Sequence, residues 1–242
     1  MNIVSFGGGV NSAAMLVGMY QRGIPIDLIL FADVGAERPE IYAFLHEMDD
    51  WLRVRGLPPI TVVENVDFGQ RLTLEQECLR AHTLPSIAFG HKRCSLKHKI
   101  APQDKFCNHH PGCRAEWAKS RCVTKYIGYD AGEGRRRERA RERDAADRKY
   151  CKVYPLMDWG WTREDCIRAI RRAGLSVPGK SSCFFCPAMK KQEILALRDQ
   201  HPELLARALA LEANAQERLI TVKGLGRSWS WADYLNTGKE AA

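Results

Sequence analysis

No apolar run in this 242-residue chain approaches the roughly 20 residues of a membrane span, so no membrane partner is expected. The apolar start is broken by glycines and has no basic stretch before it, which argues against a secretory leader and makes a cytoplasmic location the expectation. No internal repeat and no low-complexity linker interrupts the chain. The glycine-rich segment near the start has no lysine, which excludes the Gly-x-x-x-x-Gly-Lys phosphate loop.

What is present is a hydrophobic content of 45%, enough for a full core, in one large domain or one domain with an appendage. The net charge of +8 favours an anionic partner such as a nucleotide or nucleic acid. Nine cysteines in a cytosolic protein point to metal binding, redox chemistry or core filling rather than a disulfide framework.

The most informative stretch is Ile3-Val4-Ser5-Phe6-Gly7-Gly8-Gly9-Val10-Asn11-Ser12. A short apolar run ends in three glycines, and a polar pair, Asn11 or Ser12, caps an apolar helix to about Arg22. Glycines let backbone N–H groups approach an anion, and the helix N-terminus favours negative charge. The dinucleotide fingerprint Gly-x-Gly-x-x-Gly is met by Gly7 and Gly9, but Ser12 replaces the third glycine. Asp33 stands where that fingerprint's ribose-binding acid would, so this reading is weakened and stays open.

Strands are predicted at Asn2–Phe6, Asp27–Phe31, Ile60–Val63 and Val123–Tyr129, with helices from Asn11 or Ser12 to Arg22 and from Pro39 to Arg55. The alternation implies a mostly parallel twisted α/β sheet flanked by helices, with ligands at the C-terminal strand ends, where Ala32 and Asp33 also fall. Residues 72–117 read as irregular. Residues 135–149 are a charge run with eight basic and four acidic side chains, a solvated helix or mobile loop by default and a lid or nucleic-acid contact otherwise. Thr162 and Asp165 form a capping box opening a helix to Ala173, and Gly174–Ser182 is a loop. Further helices are predicted over Ala188–Gln200 and Pro202–Leu219.

Several motifs together resemble the PAPS reductase-like ATP pyrophosphatases. Ser5 to Ser12 resembles the pyrophosphate (PP) loop Ser-Gly-Gly-x-Asp-Ser, with Asn11 in the Asp position. Phe31-Ala32-Asp33-Val34-Gly35 with Pro39-Glu40, Arg93-Cys94-Ser95-Leu96-Lys97 with Pro102, Ile127-Gly128-Tyr129-Asp130 with Arg135, and Tyr154-Pro155-Leu156 with Trp159 resemble later family segments. The resemblance spans roughly residues 1–190. It implies a Rossmann-like PP-loop nucleotide-binding α/β domain over 1–160 and a Cys-rich helical C-terminal part over 161–242. The implied ligands are ATP and Mg²⁺, held by Ser5, Gly7, Gly8, Gly9, Val10, Asn11, Ser12, Ala32, Asp33, Gly128, Tyr129 and Asp130. Lys97, Arg93 and Arg135 would neutralise charge developing on pyrophosphate, with Asp33 on the nucleotide or metal. Family reductases use a thiol in a C-terminal Glu-Cys-Gly-x-His motif, and Gly224–Ala242 holds no cysteine. The chain is therefore more similar to the family's thiolation enzymes, in which an adenylated acceptor is displaced by sulfur.

Cys183-Phe184-Phe185-Cys186-Pro187 is a Cys-x-x-Cys pair suited to zinc or iron–sulfur, with a dithiol redox pair as alternative. The resemblance to iron–sulfur reductases makes Cys94 the third ligand. Arg93 stands where those relatives carry a second cysteine, so either Cys78 is the fourth ligand or a [4Fe–4S] cluster has three. Cys107, Cys113 and Cys122 make a second candidate set at a non-standard zinc spacing, and Cys151 and Cys166 read as buried fillers. The expected activity is ATP-dependent sulfur transfer to a nucleic acid or nucleoside, tRNA and DNA both being open, with hydrosulfide or a cysteine desulfurase as sulfur donor. Alternatives are a sulfonucleotide reductase and a zinc-containing nucleic-acid module without turnover. A homodimer stays open.

Overall fold

The computed structural model describes residues 1–237. Residues 238–242 of the C-terminal region lie outside the described residues. In chain order the elements are β1 (Asn2–Phe6), α1 (Val10–Gln21), β2 (Leu28–Asp33), α2 (Pro39–Arg53), β3 (Ile60–Glu64), the short β4 (Val66–Asp67) and β5 (Gln70–Arg71), and α3 (Leu74–Arg80). There follow α4 (Arg93–Ser95), a π-helical turn Leu96–Ile100, α5 (Ala101–His109), α6 (Pro111–Ala118), β6 (Val123–Ile127), α7 (Gly134–Glu138), α8 (Arg141–Ala145) and β7 (Tyr150–Val153). The last are α9 (Pro155–Asp158), α10 (Arg163–Arg172), α11 (Lys191–Gln200), α12 (Pro202–Ala215) and α13 (Trp231–Thr237).

Five strands form one sheet in the order β3-β2-β1-β6-β7, and the pairs β1–β2, β1–β6 and β6–β7 are parallel. This is the α/β class that the strand–helix alternation implies. All six residues of β2 are buried, which is why Leu28-Ile29-Leu30-Phe31 reads as a continuous apolar run rather than an alternating one. Successive side chains go to opposite faces: Val4, Ile29 and Phe31 join one core with Met15, Leu16, Leu156 and Ile170. Ile3, Leu28, Leu30 and Ala32 join another with Val63, Cys107, Cys113, Val123 and Tyr150. β1 lies between β2 and β6, so the chain leaves it in both directions across the sheet; ligands of open α/β sheets bind at the C-terminal edge of such a switch point.

The chain divides into two compact units. The first comprises Met1–Ala32, Pro39–Val63 and Gln103–Ser181; the second comprises Asp33–Arg38, Glu64–Pro102 and the chain from Ser182 onward. In the second, Leu74, Phe184, Phe185, Ile194, Leu197, Leu204, Leu211 and Trp231 share a core. Glu212 is buried there and its carboxylate accepts N–H bonds from Leu225, Trp231 and Ala232, which holds the start of α13. Among the described residues no helix is long and apolar enough to cross a membrane.

Three local expectations are corrected. Residues 72–117 are not irregular: they carry α3, α4, the π-helical turn, α5 and α6, pieces too short and too rich in Cys, His and Lys to show a 3.6-residue period. Strand β7 is only four residues, Tyr150-Cys151-Lys152-Val153, and lay unrecognised behind the charge run. Gly9, with extended backbone, is the N-cap of α1 instead of Asn11 or Ser12. The Thr162–Asp165 capping box of α10 is present with both hydrogen bonds.

Two outcomes follow for stability. Gly18 of α1 faces Trp159, and an added Cβ would lie 2.4 Å from its ring. Gly18→Ala should therefore lower stability by about 1–3 kcal/mol in a denaturant melt despite the better helix propensity of alanine. Burial works to raise the Asp147 carboxyl, but Lys152 and the N–H groups of Tyr150 and Lys149 outweigh it and hold it below its ordinary 3.8. The stability it adds is complete above that value and is lost as pH falls through the lower folded one. Asp147→Asn should thus cost about 1–2 kcal/mol at neutral pH, with the difference from wild type closing in strong acid.

Candidate functional site

In the first unit the loop Gly7-Gly8-Gly9 joins β1 to α1. Gly8 has φ +71°, and a Cβ there would stand 2.9 Å from Ile41, so only glycine fits. Ser12 donates its hydroxyl to the Gly9 carbonyl and accepts the Gly7 N–H, closing the loop from within. Ser181 donates its hydroxyl to the Gly7 carbonyl, and Ser5 donates to Gln103 at 3.1 Å. No side chain caps α1 and no acidic residue lies in its first turn. Its leading N–H groups therefore carry neither a capping side chain nor a nearby acidic residue of the helix, the condition a phosphate cradle requires. Val10 is buried at its start.

The end of β6 meets this loop. A Cβ on Gly128 would come 3.1 Å from the Asn11 backbone, so glycine permits the approach. Asn11 donates its amide to Asp130 at 3.0 Å and to Glu133 at 3.1 Å, while Arg163 donates to its carbonyl oxygen at 3.3 Å. An aspartate would put a third carboxylate into this contact; an amide is the group that two acceptors and one cation can share. Asp130 also accepts the Gly132 N–H, and Glu133 accepts from Arg136. Tyr129 stacks on Tyr154 with ring centres 5.1 Å apart, and the Arg136 guanidinium lies 4.3 Å over Tyr129. Arg135 is exposed on α7. Glu133, Ser181, Gln103 and Arg163 were not legible as loop partners, because they arrive from 98 to 174 residues away or carry no motif of their own.

In the second unit Asp33 accepts the Gly35 N–H and pairs with Arg71. Gly35, at φ +69°, is closed in by Thr73. Lys97 pairs with Glu77 at 2.9 Å, and His98 contacts the other oxygen of the same carboxylate. Burial works to raise Glu77, but the bonds from Lys97 and His98 outweigh it and keep its carboxyl below the usual range. Arg93 is exposed on α4. Lys99, overlooked in the sequence, forms an ion pair with the fully buried carboxylate of Glu37 at 3.1 Å. The π-helical turn Leu96–Ile100 sets Lys97 and Lys99 to different partners, which a motif match on one lysine could not anticipate.

Cys94, Cys183, Cys186 and Cys78 belong to this unit. Burial, with Cys186 and Cys94 as neighbours, pushes the Cys183 thiol up, and Lys99 opposes the shift. Burial, with Glu77 and Cys94 nearby, pushes Cys78 up to about 12. Cys183 and Cys186 sit in consecutive tight turns, with the Cys186 N–H on the Cys183 carbonyl at 3.0 Å, and α11 begins only at Lys191. The pair therefore lacks the helix N-terminus that would lower a thiol pKa. As placed, no group of three or more Cys, His, Asp or Glu side chains among the described residues is drawn together to hold a metal ion. The chemistry of the donor set nonetheless fits a soft metal centre: thiols in mutual electrostatic range, beside one cation.

The second cysteine set is not assembled. Cys122 is disulfide-bonded to Cys151, which is exposed on β7 and so is not a buried filler. Cys107 and Cys113 are buried in the sheet core, and Cys166 is buried as expected.

Asn11→Asp should place three carboxylates in one contact and cost about 1–2 kcal/mol at pH 8, with the loss shrinking as acid protonates the set. Equal destabilisation at pH 8 and pH 3 in thermal melts would show that charge is not the reason for the amide.

Among solved structures, the chain is similar to the U34-tRNA thiolase NcsA from Methanococcus maripaludis with its [4Fe-4S] cluster, at 14% identity and a TM-score of 0.44, covering 90% of this chain and 73% of that one. No curated protein sequence matches the chain. The family model described as the phosphoadenosine phosphosulfate reductase domain matches residues 1–178, the span that carries the glycine loop, Asp33, Cys94 and the Gly128–Asp130 segment. The chain belongs to the phosphoadenosine phosphosulfate reductase domain family.

Proposed function

We propose that the chain is an ATP pyrophosphatase that adenylates an acceptor and prepares it for sulfur transfer, with nucleic acid or a nucleoside as acceptor. The observation that carries this reading is the thiol set Cys94, Cys183 and Cys186 beside the Lys99–Glu37 pair, in a chain that also carries a glycine loop open to phosphate.

The uncapped N–H groups of α1 and the loop would take the β- and γ-phosphates of ATP, the part that leaves. Asp33 would face Mg²⁺ or the nucleotide, and Arg71 holds its carboxylate in place. Arg93, Lys97 and Arg135 would offset charge as it develops on pyrophosphate, Lys97 after leaving Glu77. The acceptor oxygen attacks the α-phosphorus, the bond from that phosphorus to the bridging oxygen breaks, and pyrophosphate leaves with the electron pair. A carbonyl oxygen, itself a poor leaving group, is thereby joined to the adenylyl phosphorus and can leave as part of AMP. Hydrosulfide then adds to the activated carbon, AMP departs with the C–O electron pair, and the sulfur keeps the new bond.

Cys94, Cys183 and Cys186, with Cys78 as a fourth donor, would hold a [4Fe–4S] cluster. Such a cluster supplies soft, sulfide-binding iron. Lys99 would offset the negative charge of the thiolates, and Glu37 fixes its position.

Protein purified anaerobically should carry iron and acid-labile sulfide in about equal amounts, near four of each per chain. Cys94→Ser and Cys183→Ser should lose most of both, while Cys166→Ser should lose none. Wild type should release pyrophosphate and AMP from ATP in the presence of acceptor. Stoichiometric zinc without sulfide, or sulfite release from adenylyl sulfate with no pyrophosphate from ATP, would sink the proposal.

A further inference from the structure

The charge run between β6 and β7 folds as α7 and α8 and contains seven arginines but one lysine between residues 134 and 149. Its side chains divide into two groups. Arg136 is held by Glu133 and by the Tyr129 ring, and Arg137 by Tyr154 and Asp158. Arg141 pairs with Glu138, and Lys149 binds Asn108 and lies over Trp117. The acids Asp144 and Asp147 are drawn inward by Lys152, and Asp144 also takes the Tyr154 hydroxyl. What remains outward is Arg139, Arg143 and Arg148, all exposed and without a carboxylate partner among the described residues, together with Arg135. Like charges along short helices repel, and the one acid left outward among them, Glu142, is too few to offset four arginines. An outside anion would.

We propose that the exposed segment 135–149, which carries α7 and α8, docks RNA through phosphates bound by Arg139, Arg143 and Arg148. The inference deepens the function proposed above by naming the acceptor's class, and rests on it for the purpose of the contact. Guanidinium groups suit this partner for two reasons. They grip phosphate oxygens with paired N–H bonds, and their planes stack on unpaired bases, which RNA loops display and duplex DNA does not. The anchored arginines give the segment its rigidity, since Arg136 and Arg137 already lie on the stacked Tyr129–Tyr154 pair. The same Glu133 that holds Arg136 holds Asn11, so docked RNA would lie within one short helix of the glycine loop.

The test is fluorescence anisotropy on the full chain with a labelled structured RNA of tRNA size and a DNA duplex of equal length, without ATP, over a salt series. Wild type should bind the RNA several-fold more tightly than the duplex. The triple variant Arg139→Gln, Arg143→Gln, Arg148→Gln should bind the RNA at least tenfold more weakly, with the slope of log K against log salt shallower by about 2. Arg171→Gln with Arg172→Gln, on α10, should leave both affinity and slope unchanged. If the triple variant melts early, each single variant should still reduce the slope by about 0.7. RNA binding that is absent, matched by the duplex, or insensitive to the triple change would overturn the proposal. Pyrophosphate release is measured separately, so failure of RNA binding and failure of the adenylation reading give different results.

Discussion

The organising constraint is how closely backbone can approach backbone where β1 and β6 end. Gly128 comes so near Asn11 that an added methyl group would lie 3.1 Å from its backbone and force it to shift, and Gly8 takes a left-handed conformation that glycine adopts at low cost. Both contacts leave the first N–H groups of α1 facing outward with no capping side chain. The cores on both faces of the sheet hold this edge rigid: the alternate residues of β1 and β2 are shared between two apolar clusters. The open N–H groups here are a backbone property, and the side chains around them serve to keep that backbone in place.

Charge management is the second theme, and it works locally. Asn11 carries no charge where two carboxylates meet, and the Arg163 contact completes its polar environment. Lys152 draws Asp144 and Asp147 inward. Glu37, fully buried, is matched by Lys99, the cation that also opposes the rise of the Cys183 thiol. In each case a buried or half-buried ion has a partner, as the cost of burying charge demands. Arg139, Arg143 and Arg148, by contrast, are exposed and have no carboxylate partner among the described residues.

Much of the first unit was legible because its signals are local. The glycine run, the buried Leu28–Phe31 strand and the Thr162–Asp165 capping box each declare themselves within a few residues. The cysteine half was less legible. Short helices between residues 72 and 117 show no period, so the segment carrying Cys78 and Cys94 looked irregular. The Cys122–Cys151 bond depends on the parallel pairing of β6 with β7, a strand of four residues that shows no pattern of its own.

By itself the sequence determined the α/β alternation, the glycine-rich strand-to-helix turn and the Cys-x-x-Cys spacing, because those depend on hydrophobic pattern, glycine and short spacings. Tertiary structure alone decided which distant groups complete the loop, Ser181, Gln103 and Glu133 among them, and that Gly9 rather than Asn11 begins α1. It also decided that Lys99, and not Lys97, faces the cysteines, since one π-helical turn changes which lysine points where. The physical reason is the same throughout: pattern fixes which elements form, but hydrogen-bond partners and ion pairs are chosen by packing between residues far apart in the chain.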